Sequence, residues 1–407
     1  MHPKTRKACE PCKSAKRKCT KQLPQCRRCE LRGLVCSYEA NPRMVVYGAN
    51  DNVGGLIRLP QHHEEQAVSS FLQPPQPEVI AIDPQLGLEL PTTITSPSPS
   101  LDDLRSAWFL TPDSWEVSSV DTSRLVPISA NEVHICFDKT RDWLKEWVET
   151  GSNPFIHPEL NKKSVPSCIQ DAFMALSTYF NKTDKTSDMV YRFIEDKANR
   201  LTVSHDRPQA SIIDEIGRVQ SLFIYTFIRL FDGNIRQRHY AEQHLPILHR
   251  WAKQMLSHAS CATSDDRLLL HNALTVYTPE LTSHPPVPTH ASPEQLLWHA
   301  WILSESVRRT WCVSMMTRSG YELLKTGTGP CFGGVKITTR RGVWDAKTAA
   351  AWTGICAERS VGFFHRNETE VLLEERSMDD VDVFPLVLMG LDFGPDRMER
   401  WRNSGPH

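Results

Sequence analysis

The chain has 407 residues, of which 40% are hydrophobic and 23% charged, and its formal net charge is -1. This composition is ordinary for a soluble protein. The length predicts two to three domains. The longest apolar block, residues 222–228, is far shorter than the roughly 20 residues that a membrane-spanning helix needs, so the sequence predicts no membrane segment.

Six cysteines near the N-terminus follow the spacing C-x2-C-x6-C-x6-C-x2-C-x6-C. A shift of seventeen residues maps the first three onto the last three, so the segment is an internal repeat. Zinc bound by thiolates is almost always tetrahedral, and six thiolates satisfy two zinc ions only when two of them bridge the metals. The pattern therefore predicts a cluster of two zinc ions with the ligands Cys9, Cys12, Cys19, Cys26, Cys29 and Cys36.

The two halves of this repeat differ in their other residues. Each C-x2-C pair suits the opening turn of a short helix, where the helix dipole favours thiolates. The first half carries a basic run, whereas the second has apolar residues at matching places. We expect the first half to contact a partner and the second to supply packing; the residues concerned are Lys13, Lys16, Arg17 and Lys18 in the first half and Leu31, Leu34 and Val35 in the second.

Charge distribution points to a polyanionic partner. Residues 1–36 hold eleven Lys or Arg against Glu10 and Glu30, so this segment carries +9 and the remainder of the chain -10. The charge argues against a zinc module that binds only protein. A disulfide scaffold is the other alternative, but the twelve cysteines follow no apolar signal segment, which favours a reducing compartment and metal binding. The segment is therefore predicted to bind DNA through phosphates and base edges.

Residues 5–40 resemble the fungal binuclear zinc cluster transcription regulators, in the spacing of all six cysteines, the basic run and the proline between the halves at Pro24. The resemblance implies that Cys9 and Cys26 bridge the two zinc ions. It also implies that Lys16 reads bases of a CGG-like triplet in the major groove, while Lys13, Arg17 and Lys18 hold phosphates. Ala15 stands where the family often has Arg or Lys, which puts one backbone contact in question.

Residues 41–107 are predicted to be a flexible linker. Nine prolines fall between Pro60 and Pro112, and Thr and Ser surround them in TTITSPSPS, a composition typical of disorder. Residues 37–59 show no heptad pattern and contain Gly48, Gly54 and Gly55, so no coiled coil follows the cluster. We expect the DNA-binding region alone to be monomeric, with any homodimer formed through the C-terminal domain.

Residues 108–400 are predicted to form a mostly α-helical regulatory domain. Apolar residues spaced by three and four indicate a helix over residues 213–231 that stops at Gly233. Ser292, Pro293 and Gln295 form a capping box that opens another helix, and Ser167 with Gln170 repeats that signal. Further helices are predicted at residues 131–149, 187–201, 235–257 and 344–358.

Four blocks of this region resemble, more loosely, regulators found beside fungal secondary-metabolite biosynthetic genes: WFLTPDSW (108–115), NPFIHPEL (153–160), SCIQDAF (167–173) and FDGNIRQRHYAEQHLPIL (231–248). The resemblance implies a pathway-specific activator. The eleven tryptophans are expected to anchor the hydrophobic core more often than to form a cage around a ligand. Two acidic and apolar segments, residues 101–115 and 374–393, are candidates for contacting coactivators, and the alternative is that both are edges of the helical domain with solvated charges.

The sequence does not match the common catalytic motifs. The glycines at 329 and 334 lack the Lys and Ser/Thr of a phosphate-binding loop, and there is no G-x-S-x-G or H-E-x-x-H motif. Residues Cys136, Cys168, Cys261, Cys312, Cys331 and Cys356 lie singly and are expected to be buried apolar residues. The sequence thus predicts a nuclear, zinc-dependent, DNA-binding regulator of RNA polymerase II genes and no enzyme. The alternative is a repressor or protein-interaction regulator that binds DNA only weakly.

Overall fold

A computed structural model describes residues 10–20, 26–32, 45–48, 107–118, 128–162, 165–203, 211–264 and 292–404. Helices dominate these ranges, as predicted for the region after residue 108. The helices are α1 (Glu10–Ser14), α2 (Arg27–Leu31), α3 (Ala130–Thr150), α4 (Ser167–Phe180), α5 (Ser187–Val203), α6 (Ile212–Phe231), α7 (Ile235–Ser264), α8 (Pro293–Thr326), α9 (Ala349–Glu358), α10 (Glu370–Glu375) and α11 (Val383–Asn403).

Four short strands form two two-stranded sheets. β1 (Val45–Gly48) pairs in parallel with β2 (Thr328–Cys331), and β3 (Ile337–Thr338) pairs antiparallel with β4 (Phe363–Phe364). β1 lies inside the predicted flexible linker, so the expectation of an unstructured segment is wrong for residues 45–48. The β-branched pair Val45 and Val46 favours a strand, but a four-residue strand gains its hydrogen bonds only from a partner far away in sequence.

Two long helices, α6 and α8, occupy the centre of the helical domain. Residues 219–230 of α6 and 300–317 of α8 are buried on all sides. The amide of Gln220 joins the two helices, since its Nε2 donates to Thr310 Oγ1 at 3.0 Å and to the carbonyl of Phe155 at 3.2 Å. Helices that are apolar or buried around their circumference need a shell of other elements. The helices from α3 onward and the short strands supply that shell.

The start of α8 confirms the predicted capping box. The Ser292 hydroxyl accepts from the backbone N–H of Gln295, and the Gln295 side chain accepts from the N–H of Ser292. The equivalent prediction at α4 is wrong. Pro166 is the N-cap there, Ser167 is the first helical residue, and the Gln170 amide donates to the carbonyl of Val165 instead. The proline has already fixed the backbone at that position, so the serine has no cap to form.

Other helix boundaries agree with the sequence to differing degrees. The predicted helices at 131–149, 187–201 and 213–231 are confirmed by α3, α5 and α6. The helix predicted from 235 runs on to Ser264, and the one predicted from 344 begins at Ala349. Thr348 sets that later start, because its side chain accepts from the N–H of Ala351.

Two adjacent arginines of α8 hold the shell to the centre. Arg308 donates to the carbonyls of Phe109 and Ser114, and its guanidinium lies over the Trp115 ring at 4.3 Å. Arg309 donates to Glu305 Oε1 at 3.0 Å and to the carbonyl of Pro154 at 2.8 Å. Both side chains are fully buried, so they act as cross-links between distant segments. Among the described residues, no helix is long and apolar enough to cross a membrane.

Candidate metal centre and nucleic-acid interface

Three cysteines from both halves of the repeat converge on one point. Cys12 lies in α1, Cys26 directly precedes α2, and Cys29 lies in α2. All three are fully buried, and their sulfur atoms lie within 4.8 Å of one another. In the described ranges this is the group of three ligand-type residues that could hold a metal ion.

The sulfur spacing fits shared zinc ligation. The Sγ atoms of Cys12 and Cys26 are 3.7 Å apart. Two thiolates bound tetrahedrally at roughly 2.3 Å from one zinc ion are separated by roughly 3.8 Å. Cys12 and Cys26, which belong to different halves, are therefore spaced as two ligands of one zinc ion would be.

Cys19 is half-buried and packs against these three residues. The structure thus brings together four of the six predicted ligands, two from each half. Cys9 and Cys36 lie outside the described residues, as do Pro24, Leu34 and Val35. The described cysteines form no disulfide bond.

The predicted basic residues are all exposed. Lys13, Lys16, Arg17 and Lys18 lie at and beyond the C-terminal end of α1, and their side chains face solvent. The chain reverses there, because the N–H of Lys16 donates to the carbonyl of Lys13 at 3.1 Å and the N–H of Arg17 to that of Cys12 at 2.9 Å. One turn therefore presents the whole basic run beside the buried thiols.

Lys16 adopts a left-handed backbone conformation, with φ of 50°, and it is the one residue other than glycine that does so in the described ranges. This conformation costs a residue with a Cβ on the order of 1 to 2 kcal/mol. Such strain is common at functional positions, where the surrounding structure holds it in place. Here the turn that ends α1 requires it, and the residue held there is the one that the family resemblance assigns to base reading.

Arg28 is a part of the site that the sequence did not single out. Its Nη1 lies 3.6 Å from the Cys12 Sγ and donates to it across the two halves. This contact joins the second half of the repeat to a buried sulfur atom of the first half. The sequence showed the charge between Cys26 and Cys29, but only the fold directs it at the first half.

One expectation for the second half is wrong. Leu31 was expected to supply packing, but its side chain is 77% exposed. It falls on the last residue of a five-residue helix, whose inner side is already taken by Cys29. The residues of the module that the structure describes as buried are all cysteines.

The segments predicted to contact coactivators are folded into the helical domain. Phe109 and Trp115 of the first are 1% and 4% exposed. In the second, Phe384 is fully buried, and Asp382 caps α11 by accepting from the N–H of Phe384. The alternative interpretation, that both segments are parts of the domain, therefore holds for their described residues; residues 101–106 lie outside them.

The blocks that carry the looser resemblance supply anchors of the scaffold. Phe109 and Ser114 of the first accept from Arg308. In the second, His157 Nε2 bonds to the carbonyl of Trp344 at 3.0 Å. In the fourth, Asp232 accepts from the guanidinium of Arg141 at 2.8 Å and from the Tyr179 hydroxyl. These contacts show that the blocks connect distant segments of the helical domain.

Ten of the eleven tryptophans are buried, as expected for core anchors, and Trp108 is half-buried. The isolated cysteines mostly follow the prediction, with Cys136 and Cys312 buried and three others half-buried. Cys261 departs from it, since it is exposed on α7. His244 is buried against Arg229 Nη1 at 3.3 Å, and burial followed by this cation lowers its pKa to about 4.

Comparison with known proteins agrees with the site geometry. Residues 7–44 match the family described as the Fungal Zn(2)-Cys(6) binuclear cluster domain. Over 426 residues the chain is 26% identical to a protein named Transcription factor gsfR2 from Penicillium aethiopicum, a match that covers 96% of this chain and 93% of that protein. No solved structure matches the chain.

The N-terminal module is a zinc cluster domain of the fungal Zn(2)-Cys(6) type, which binds two zinc ions, and the converging thiols are suited to hold them. The matched domain and the relative's name support a fungal binuclear zinc cluster regulator, and they indicate a transcription factor instead of an enzyme.

Proposed function

We propose that this chain is a nuclear regulator that binds DNA sequence-specifically through its zinc cluster and controls RNA polymerase II genes. The observation that carries the proposal is the exposed basic run at the end of α1, next to the buried thiols. Two zinc ions and six thiolates carry a formal charge of about -2, so some nearby cations neutralise the cluster itself. The segment's +9 charge leaves a surplus for phosphates.

The roles of the basic residues are those that the family resemblance implies. Lys16 is exposed at the reversal of the chain, and we assign it to base edges in the major groove. Lys13, Arg17 and Lys18 flank that point and are assigned to phosphates, which position the module without reading sequence. A CGG-like triplet is the expected target.

We also propose that the chain activates the genes of a fungal secondary-metabolite pathway. The support is the resemblance of its helical blocks to such regulators and the relative named as a transcription factor over nearly the whole length of both chains. Coactivators are the expected partners, although the folded acidic segments mean that they would meet a surface of the domain and not a free peptide. A homodimer formed through the helical domain remains part of the proposal.

Selection of the full-length chain on random duplexes tests the DNA-binding role. We expect enrichment of a CGG-like triplet, and binding that weakens steeply as salt rises because neutralised phosphates release counterions. Lys139→Ala on α3 is the matched control, since it removes one exposed lysine away from the cluster and should leave the enriched sequence unchanged. A zinc-loaded chain that enriches no sequence would favour the alternative, a regulator that acts mainly through protein contacts.

A further inference from the structure

A cavity of about 510 Å³ lies within the helical domain, far in sequence from the zinc cluster. Its walls come from α3, α8, β2 with the chain that follows it, residues 366–370, and α11. Cavities that hold small molecules commonly have volumes of roughly 300 to 1,000 Å³ and few polar groups. The size of this one therefore suits a compact organic molecule.

Most of the wall is apolar and adaptable. Sulfur-containing side chains are prominent in it, and they are soft, polarisable and favourable against aromatic rings. Cys136 and Met316 contact each other through their sulfur atoms at 3.1 Å. The apolar wall includes Phe137, Trp311, Met315, Val335, Leu388 and Met389.

Polar groups are few and confined to defined points. The Arg366 Nε lies 2.8 and 2.7 Å from the two carboxylate oxygens of Asp392, and Nη2 also donates to Asp392. The remaining nitrogen of this guanidinium, Nη1, donates no hydrogen bond to any described residue. Trp311 is 3% exposed, and its indole N–H likewise has no acceptor in the described part of the chain. Two donors on the wall thus lack acceptors.

The charges that line the cavity cancel. Asp392 neutralises Arg366, and at the rim Glu370 accepts from Arg397 Nη2 at 2.6 Å. An anionic guest would gain from a guanidinium but lose equally to the carboxylate beside it, and it would still have to leave water. A neutral guest with an acceptor oxygen avoids that cost and satisfies the free donors.

We propose that this cavity binds an uncharged, largely apolar small molecule that carries a carbonyl or phenolic oxygen. The ring or chain of the molecule packs against the sulfur-rich wall, and its oxygen accepts from Arg366 Nη1 or Trp311 Nε1. This site goes beyond the DNA-binding role proposed above and does not depend on it.

Calorimetric titration of the zinc-loaded full-length chain tests the proposal, with naphthol as the uncharged probe and naphthoate as its anionic match. We expect one naphthol site per chain and at least about tenfold weaker binding of naphthoate, because the neutral lining gives a carboxylate no compensation for lost water. Cys331→Phe places a ring in the cavity and should abolish binding, while Cys261→Phe on the exposed side of α7 should leave it intact.

A second variant tests the charge argument separately from the space. Asp392→Asn leaves an oxygen that accepts from Arg366 but removes the neutralising charge, so the preference should shift toward naphthoate by at least about tenfold. This readout holds even if Cys331→Phe fails to fold, which circular dichroism would reveal. Three outcomes overturn the proposal: no saturable binding, as when a segment of the chain itself fills the cavity; equal binding by a folded Cys331→Phe; or an unchanged preference in Asp392→Asn.

Discussion

The zinc module and the helical domain keep their folds by opposite means. In the module, the two helices have five residues each, far below the length at which helices are stable alone in water, and the buried residues in its described part are cysteines. In the helical domain, α6 and α8 bury long stretches on all sides, and tryptophans and arginines fill the contacts around them. One part depends on metal, and the other on packing.

The difference separates what each part can tolerate. A module held by thiolates can expose nearly every other side chain, which frees the basic run for a partner. A domain held by packing must instead absorb its own polar groups, and it does so by placing Arg309 among Glu305, Pro154 and Asp382. The first arrangement favours a contact surface and the second an interior that can contain a cavity.

Removal of zinc should have the largest effect, because it should unfold the module and leave the helical domain folded. Structural zinc contributes roughly 10 to 16 kcal/mol to the folding of small modules of this kind, so a chelator should unfold residues 5–40 and leave the helical domain folded. Hydrogen exchange of the full-length chain would resolve the two parts. A module that stayed protected after the metal had been removed would show that packing, not zinc, holds it.

Arg309→Ala should destabilise the helical domain and leave the zinc module intact. It leaves Asp382 without its buried cation and Glu305 with only Arg308 Nη1 at 3.7 Å, and breaking a buried pair in this way costs about 3 to 5 kcal/mol in the free energy of unfolding. Denaturant unfolding followed by tryptophan fluorescence would measure the loss, while zinc content stays unchanged. Arg200→Ala on the exposed side of α5 is the matched control, with an expected change below about 0.5 kcal/mol.

Lys16→Ala should weaken binding to the preferred triplet by about 1 to 3 kcal/mol and relax its sequence preference. Lys16→Gly sharpens this test, because glycine relieves the left-handed backbone at that position and should stabilise the module while it removes the contact. Titration against matched and mismatched duplexes provides the measurement. Equal loss on both duplexes would reassign Lys16 to phosphate.

The helical domain, but not the module, should lose stability in mild acid through His157. Burial is the main cause that lowers the pKa of His157 to about 3, below the unfolded value of 6.5. The unfolded chain therefore binds the proton first, and stability is lost as pH falls below about 6.5. The expected cost is about 1.4 kcal/mol at about pH 5.5.

His157→Gln provides the control for this pH effect. The ring accepts from the N–H of Glu159 at Nδ1, so Nε2 is the donor toward Trp344, and glutamine keeps a donor at that end. The slope of unfolding free energy between about pH 5 and 7 should flatten in the variant. A slope that stayed equal to that of the native chain would show that other groups, such as His244, carry the whole effect.

Local signals predicted much of the chain. The cysteine spacing was sufficient for the cluster, since ligand number is a property of composition and not of fold. The capping box at Ser292 was read correctly because its partner, Gln295, is three residues away. The same signal at Ser167 gave a wrong N-cap, because Pro166 occupies the N-cap position and Ser167 is already the first helical residue.

Long-range relations could not be predicted. Arg308 and Arg309 look like any exposed basic pair in the sequence, and only contacts with residues about 150 to 200 positions away make them buried cross-links. β1 is hidden for the same reason, because its partner strand lies near residue 330. The cavity needs five separate segments to be in place before it exists, so no window of sequence could indicate it.

Because β1 pairs with β2, the short chain before β1 limits how far the zinc module can lie from that strand pair. Eight residues separate Cys36 from Val45, and the chain between these two residues spans at most about 30 Å. The zinc module is therefore tied within that distance of β1, whatever the length of the chain that follows β1.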